Sequence, residues 1–229
     1  MNQLPPHVHV FDTRAAMGAA AASDVADELR ARLNAQERVR MVFAAAPSQA
    51  EMLDALVAAE GIDWSRVDAF HMDEYLGLPE GAPERFAQWL IRNLFDRVGF
   101  GSVTLIDGDA DPEGAARDYA ALLDEAPIDI VCCGIGVNGH IAFNDPPVAD
   151  LRDPLDVKVV ELDAACRQQQ VADDCFATVE DVPTHAITLT VPRLLRADRL
   201  FCVVPGALKA DAVRATFTEP VGTAWPSTV

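Results

Sequence analysis

Short β-like runs alternate with longer helical patterns along almost the whole chain, and this alternation restricts the fold more than any other feature. Val8–Phe11, Val39–Ala45, Val67–Met72, Val103–Ile106, Ile128–Cys133, Val157–Leu162, Ala186–Val191 and Leu200–Val204 read as strands. Helical patterns run from the capping residue Thr13 to about Asn34, from Pro47-Ser48 to Ala58, over Pro83–Val98, from Pro112 to about Glu125 and over Ala207–Thr216. Repeated βα units predict an α/β, Rossmann-like, doubly wound fold: a mostly parallel sheet with helices on both faces. Apart from Asp129, Ile128–Cys133 is apolar, and Leu200–Val204 is apolar throughout, as expected of strands buried on both faces. Leu151–Pro183 has the weakest periodicity and is expected to form a lid or an irregular excursion. Residues 1–229 otherwise read as one α/β domain.

Half of the 229 residues are apolar, enough for one sizeable core or at most two small domains. The chain carries 18 basic and 36 acidic side chains, a net charge of −18. Such a surface repels nucleic acid and anionic membranes, so an anionic ligand would need a local basic pocket. Five cysteines, an odd number without a C-x-x-C pair, point to a reduced cytoplasmic protein and away from a disulfide scaffold or a zinc motif. No apolar run is long enough to span a bilayer, and "MNQLPPHVHV" has neither the basic nor the apolar region of a signal peptide. Homo-oligomerisation stays open.

Sheets of this kind bind ligands at the carboxyl ends of their strands. One such end reads "GIGVNGHIAFNDPP", Gly134–Pro147. Gly134, Gly136 and Gly139 match a dinucleotide fingerprint, but that fingerprint needs a helix to start at once, and Asn144-Asp145-Pro146-Pro147 breaks any such helix. A catalytic loop suits these residue types better. His140 exchanges protons most readily near neutral pH. Asn138, two residues earlier, shares a face with it if the loop is extended. A turn through Phe143-Asn144 would return the Asp145 carboxylate to the ring and fix its tautomer. The bland alternative is a histidine that only satisfies loop backbone groups. A second strand end, "FHMDEYLGLP", brings Asp73 and Glu74 together with no basic neighbour in sequence. Paired carboxylates suit general acid–base work because each raises the other's pKa; helix capping or a solvated turn is the alternative.

Together, Met72–Leu78 ("MDEYLGL") and Gly134–Pro146 ("GIGVNGHIAFNDP") resemble the motifs of the glucosamine-6-phosphate deaminase/isomerase family, part of a larger group that includes 6-phosphogluconolactonases. The "DEY" and "GHIAFN" stretches are similar to the deaminase branch rather than the lactonase branch. The resemblance implies conversion of glucosamine 6-phosphate and water to fructose 6-phosphate and ammonia, without a cofactor and with a small sugar phosphate as partner. It implies that Asp73 carries the C2 proton to C1 and that His140 exchanges protons with the ring oxygen, supported by Asn138 and Asp145. The substrate-binding set it implies is Ala46, Ser48, Gln49, Glu74, Gly136, Arg167 and Lys209, with Arg167 and Lys209 at positions similar to the family's phosphate-binding cations. Asp145 stands where the family usually carries Glu. The loop after the second strand reads "AAAPSQ", Ala44–Gln49, in place of a glycine-rich phosphate loop, and Pro47 removes one N–H donor. Phosphate is therefore expected to rest on Arg167, Lys209, the Ser48 hydroxyl and the N–H groups of Ser48 and Gln49. The alternatives are a 6-phosphogluconolactonase, a non-deaminating sugar-phosphate isomerase, or a sugar-phosphate-binding regulator that has lost the chemistry.

Overall fold

The computed structural model describes residues 5–108 and 110–229. Helix α1 (Arg14–Ala35) is opened by Thr13, whose hydroxyl accepts the Ala16 N–H at 3.1 Å. Its buried face, Gly18, Ala22, Val25, Ala26, Leu29 and Leu33, follows helical spacing. Strand β1 (Val39–Phe43) is buried at every residue. A 3-10 turn (Pro47–Gln49) leads into α2 (Ala50–Val57). Then come β2 (Val67–His71), β3 (Asp73–Tyr75), α3 (Phe86–Leu90) with a π-type turn (Ile91–Phe95), β4 (Ser102–Thr104), α4 (Pro112–Asp124) and β5 (Ile130–Cys133). Strand β6 (Val157–Glu161), α5 (Ala164–Ala172), β7 (His185–Leu189), α6 (Val191–Leu195), β8 (Arg199–Cys202) and α7 (Ala210–Thr218) complete the order.

Five strands form a parallel sheet in the order β4-β2-β1-β5-β8, with β1 at its centre. Side chains alternate across β1. Met41 and Phe43 join Leu29, Leu56 and Leu90 on one face, while Val42 joins Phe70, Tyr119 and Leu123 on the other. Each such fully buried large side chain contributes roughly 1.5–3 kcal/mol, so two packed faces define the core. Among the described residues, no helix is long and apolar enough to cross a membrane.

Two expectations are corrected. Val8–Phe11 is not a strand, and Val10 is 79% exposed. The run joins neither sheet, and its largely exposed side chains have no buried face to hold it there as a strand. The second correction concerns β3, β7 and β6, which form a separate antiparallel sheet rather than extending the parallel one. Met72 is the hinge between the sheets. Its N–H donates to Phe43 of the parallel sheet, and its carbonyl accepts from Leu189 of β7. The chain therefore turns from one sheet into the other one residue before Asp73. The weakly periodic stretch 151–183 is ordered, since it contains β6 and α5.

Candidate active site

Strand alternation sends Asp73 and Glu74 to opposite faces of β3. The Glu74 carboxylate accepts the backbone N–H groups of Tyr75 (2.9 Å), Phe86 (3.0 Å) and Ala87 (2.9 Å) and lies 4.0 Å from Arg85. It is therefore an anchor for the start of α3. Burial pushes its pKa up, against the pull of those amides and Arg85. Asp73 is 6% exposed. Burial first, then the charge of Glu74, pushes its carboxyl well above the ordinary carboxylate range. Nearby Tyr75 stacks among Phe86, Phe143 and Phe176 with ring centroids 4.6–5.4 Å apart, an apolar wall with little to solvate a charge. His71 belongs to the scaffold: its Nε2 accepts the Ile106 N–H at 2.8 Å, and burial lowers its pKa to about 3, which leaves it neutral.

The loop after β5 folds as the residue types required. Asn138 is its clamp: the amide nitrogen donates to Asp145 Oδ1 at 2.9 Å, and the amide oxygen accepts the His140 N–H at 3.1 Å. His140 Nδ1 lies 2.8 Å from Asp145 Oδ1, an ion-pair distance, although the ring N–H does not point squarely at the carboxylate. Both side chains are buried. Burial works to raise the Asp145 pKa, but His140, Asn138 and the Cys166 thiol outweigh it and hold the carboxyl below its ordinary value. Asn144 fastens the far side of the loop to β7, donating to Leu189 O at 2.8 Å and to Ile141 O at 2.9 Å. Gly136 is where the imidazole lies against backbone: a Cβ there would stand 2.1 Å from His140 Cε1. Gly139 has φ +81°, and a Cβ would stand 2.8 Å from the Trp225 ring.

Two partners of this loop had no sequence signal. The Gln169 side chain on α5 accepts the Val137 N–H at 2.8 Å. The Ser227 N–H donates to Gly139 O at 2.8 Å, and its hydroxyl pairs with Thr216 of α7 at 2.7 Å. Residues 225–228 thus strap the histidine loop to the body of the protein. Cys166 is a third. It is fully buried, and its thiol, a ring nitrogen of His140 and a carboxylate oxygen of Asp145 all lie within 4.8 Å of one another. No motif spacing links residues 140, 145 and 166, so only the fold could reveal the cluster.

The residues expected to hold an anion are only partly brought together. Ser48 and Gln49 meet at the carboxyl end of β1, and a Cβ on Gly134 at the end of β5 would stand 3.0 Å from Gln49 Nε2 and 3.6 Å from Ser48 Oγ. Ala46 has extended backbone and leads into the turn. The Gln49 N–H, however, donates to Ala46 O at 2.9 Å, so it is not a free donor as expected. Arg167 Nη2 donates to Val179 O (2.6 Å) and Val182 O (2.9 Å), bracing the return of the 151–183 segment, while its Nε is buried without a hydrogen-bond partner. Lys209 is 7% exposed in the 3-10 turn after β8; burial lowers its pKa, opposed by Asp173 and Cys166. Arg14, which sequence reasoning passed over, donates to Pro47 O at 2.7 Å and pairs with Glu51, and so buttresses the β1 loop. A cleft of about 500 Å³ lies at the amino ends of β1 and β2, away from these groups. In it Arg38 pairs with Asp68, and Asp129 with Arg32 and the Arg40 N–H.

Residues 12–229 match the family described as glucosamine-6-phosphate isomerases/6-phosphogluconolactonase. A glucosamine-6-phosphate deaminase of Exiguobacterium sp. is 36% identical over 173 residues, covering 74% of this chain and 65% of that protein. The chain thus spans about two thirds of that relative's length. A Listeria welshimeri glucosamine-6-phosphate deaminase is 33% identical over 183 residues, covering 80% of this chain and 76% of that protein. Among solved structures, a monomeric glucosamine-6-phosphate deaminase superposes with a TM-score of 0.85 at 24% identity, covering 95% of this chain and 90% of that one. A 6-phosphogluconolactonase from Shewanella baltica superposes with a TM-score of 0.78 at 19% identity, covering 94% and 88%. These superpositions carry the fold: an α/β body around a mostly parallel sheet.

Proposed function

Because the chain belongs to the family of glucosamine-6-phosphate isomerases and 6-phosphogluconolactonases, we propose that it converts glucosamine 6-phosphate and water to fructose 6-phosphate and ammonia. The observation that carries this reading is the pair of aspartates whose surroundings drive their proton affinities apart: Asp73 up, Asp145 down. Such divergence separates the group that moves a proton from the group that holds a charge. His140, oriented by Asp145 and Asn138, exchanges a proton with the ring oxygen and opens the sugar. Asp73 then takes the C2 proton and returns it to C1 through an enolamine. Water adds at C2, and the C2–N bond breaks to release ammonia. A carboxylate with a raised pKa is the stronger base for the C2 step.

The remote phosphate rests on Lys209 and Ser48, while the Arg167 Nη2 and the Gln49 N–H are held by backbone carbonyls. Residues 151–183 act as the lid of one α/β unit, and Gln169 links that segment to the histidine loop. Five free cysteines support a reducing, cytoplasmic setting, and the net charge of −18 disfavours nucleic acid as a partner. The test is ammonium release from glucosamine 6-phosphate by folded protein, run beside 6-phosphogluconolactone hydrolysis. No ammonium from any hexosamine 6-phosphate would overturn the reading. For the phosphate, Lys209→Ala should raise the KM for the phosphorylated sugar about ten- to a hundredfold, as loss of one charge-assisted hydrogen bond does, and leave the KM for glucosamine nearly unchanged.

A further inference from the structure

The cluster of His140, Asp145 and Cys166 holds more donor capacity than proton exchange uses. His140 and Asp145 come from the loop after β5, and Cys166 comes from the first turn of α5. A ring nitrogen, a carboxylate oxygen and a thiol sulfur lie within 4.8 Å of one another, and all three residues are buried. Asp145 Oδ2 is buried without a hydrogen-bond partner, and His140 Nδ1, 2.8 Å from Asp145 Oδ1, has no well-directed one. Leaving such atoms unsatisfied in a packed interior is costly, and here both belong to groups in contact with each other. The remaining carboxylate oxygen, Asp145 Oδ1, is held by Asn138 and faces His140 Nδ1, which orients the free one.

We propose that His140, Asp145 and Cys166 form a binding site for a thiophilic divalent cation of the zinc class, with a fourth position left for water or a ligand. Nitrogen, oxygen and thiolate sulfur are the donors zinc takes, and three protein ligands with one open position is a familiar arrangement for it. Metal–ligand bonds of roughly 2.0–2.3 Å place tetrahedral donor atoms roughly 3.3–3.8 Å apart, within reach of side-chain rotation from the present spacing. The charges balance as well. One carboxylate, one thiolate and a neutral imidazole offset a doubly charged ion, so the loaded site adds no net charge to the interior. On binding, the Cys166 S–H bond breaks, its proton leaves to solvent, and a sulfur–metal bond forms without change of oxidation state. The bound ion removes His140 and Asp145 from proton exchange, which makes the metal a reversible inhibitor. That inhibitory arm rests on the acid–base reading above; the binding arm does not.

The experiment adds Co2+ to the reduced full chain, then displaces it with Zn2+. Wild type should develop a thiolate-to-cobalt charge-transfer band in the near ultraviolet at one equivalent, and Zn2+ should abolish it. Cys202→Ala should behave as wild type, which separates this site from Cys133 and Cys202, neighbours across β5 and β8. Cys166→Ser should lose the band and weaken Zn2+ binding by at least about a hundredfold, beyond the loss typical of an outer partner. The ratio of activity with and without Zn2+ should be low in wild type, recover with EDTA, and move toward one in Cys166→Ser. A wild-type chain without the band, which requires no variant to fold, overturns the proposal. So does a band that survives Cys166→Ser or vanishes in Cys202→Ala. Metal binding without ammonium release would sink the proposed function and leave this site standing; ammonium release with no band would do the reverse.

Discussion

Asp73 and Asp145 are the same residue type and both buried, one at the start of β3 and one in the loop after β5, yet the fold treats them in opposite ways. Asp145 has an imidazole, an amide and a thiol around it, and its carboxyl is held below the usual range. Asp73 has an apolar wall and a second carboxylate, and its carboxyl is driven well above that range. The contrast with Glu74 is as instructive. Glu74 is even more deeply buried than Asp73 but is tied down by three backbone N–H groups. Burial alone therefore does not mark a reactive carboxylate. What marks it is burial without donors, because only then does the proton's departure cost enough to make the group a strong base.

The comparison breaks most decisively at Asp73. Asp73→Asn keeps the shape and removes the acceptor, and we expect C2 proton exchange with solvent deuterium to fall by roughly 10²–10⁴. Undiminished exchange would remove Asp73 from the mechanism. His140→Gln and Asp145→Asn should each slow ring opening, and the double variant should be little worse than the poorer single one, since groups acting as a unit are not additive. Independent, multiplying losses would show that Asp145 only ends the loop. Gly136→Ala tests position rather than chemistry: the new methyl would stand 2.1 Å from His140 Cε1 and must push the ring aside. A displacement of about 1 Å can cost on the order of a hundredfold in kcat, so a drop of that size with the fold intact is expected.

The smallest effect is on stability, where the two aspartates should differ in sign. Asp145 has a depressed folded-state pKa. Its contribution is present above the ordinary carboxylate value and is lost as pH falls through the folded value beneath it. Asp73 has a raised one. Its contribution is present below the ordinary value and is lost as pH rises through the folded value above it. At neutral pH, Asp145→Asn should therefore lower the melting temperature and Asp73→Asn should raise it. Thermal scans across the acid range check both signs, and two shifts in the same direction would contradict the opposed environments.

Much of this arrangement was legible before any coordinates. Buried parallel strands are nearly continuous apolar runs, broken only by Arg40 in β1, so β1 and β5 could be read directly, and glycine, proline and asparagine marked the loop that carries His140. The Asn138, His140 and Asp145 contacts lie within eight residues of chain, short enough for loop chemistry to imply them. The contacts that escaped are long-range. Nothing local announces that Gln169 would cap Val137, that Cys166 would lie beside Asp145, or that Glu74 would reach the amides of Phe86 and Ala87. Arg167 belongs with these. A cation is visible in sequence, but the carbonyls that claim it, Val179 and Val182, are not. Val8–Phe11 has strand-like residues but stays largely exposed, and whether a run finds a face to bury is decided by the rest of the fold.

The strap from residues 225–228 has a consequence for when the protein becomes competent. Gly139 and Ser227 are 88 positions apart, yet the histidine loop is closed by the hydrogen bond between them and by the Trp225 ring against Gly139. During vectorial synthesis at ~5–20 residues per second, everything through β5 leaves the ribosome several seconds before that clamp exists. A nascent chain halted before Trp225 should therefore already hold its parallel sheet, resist proteolysis over most of its length, and remain open to cleavage between Gly136 and Pro147. Release of the remaining residues should close that window. Protection of the loop that tracked the sheet instead of the strap would mean the loop folds on its own.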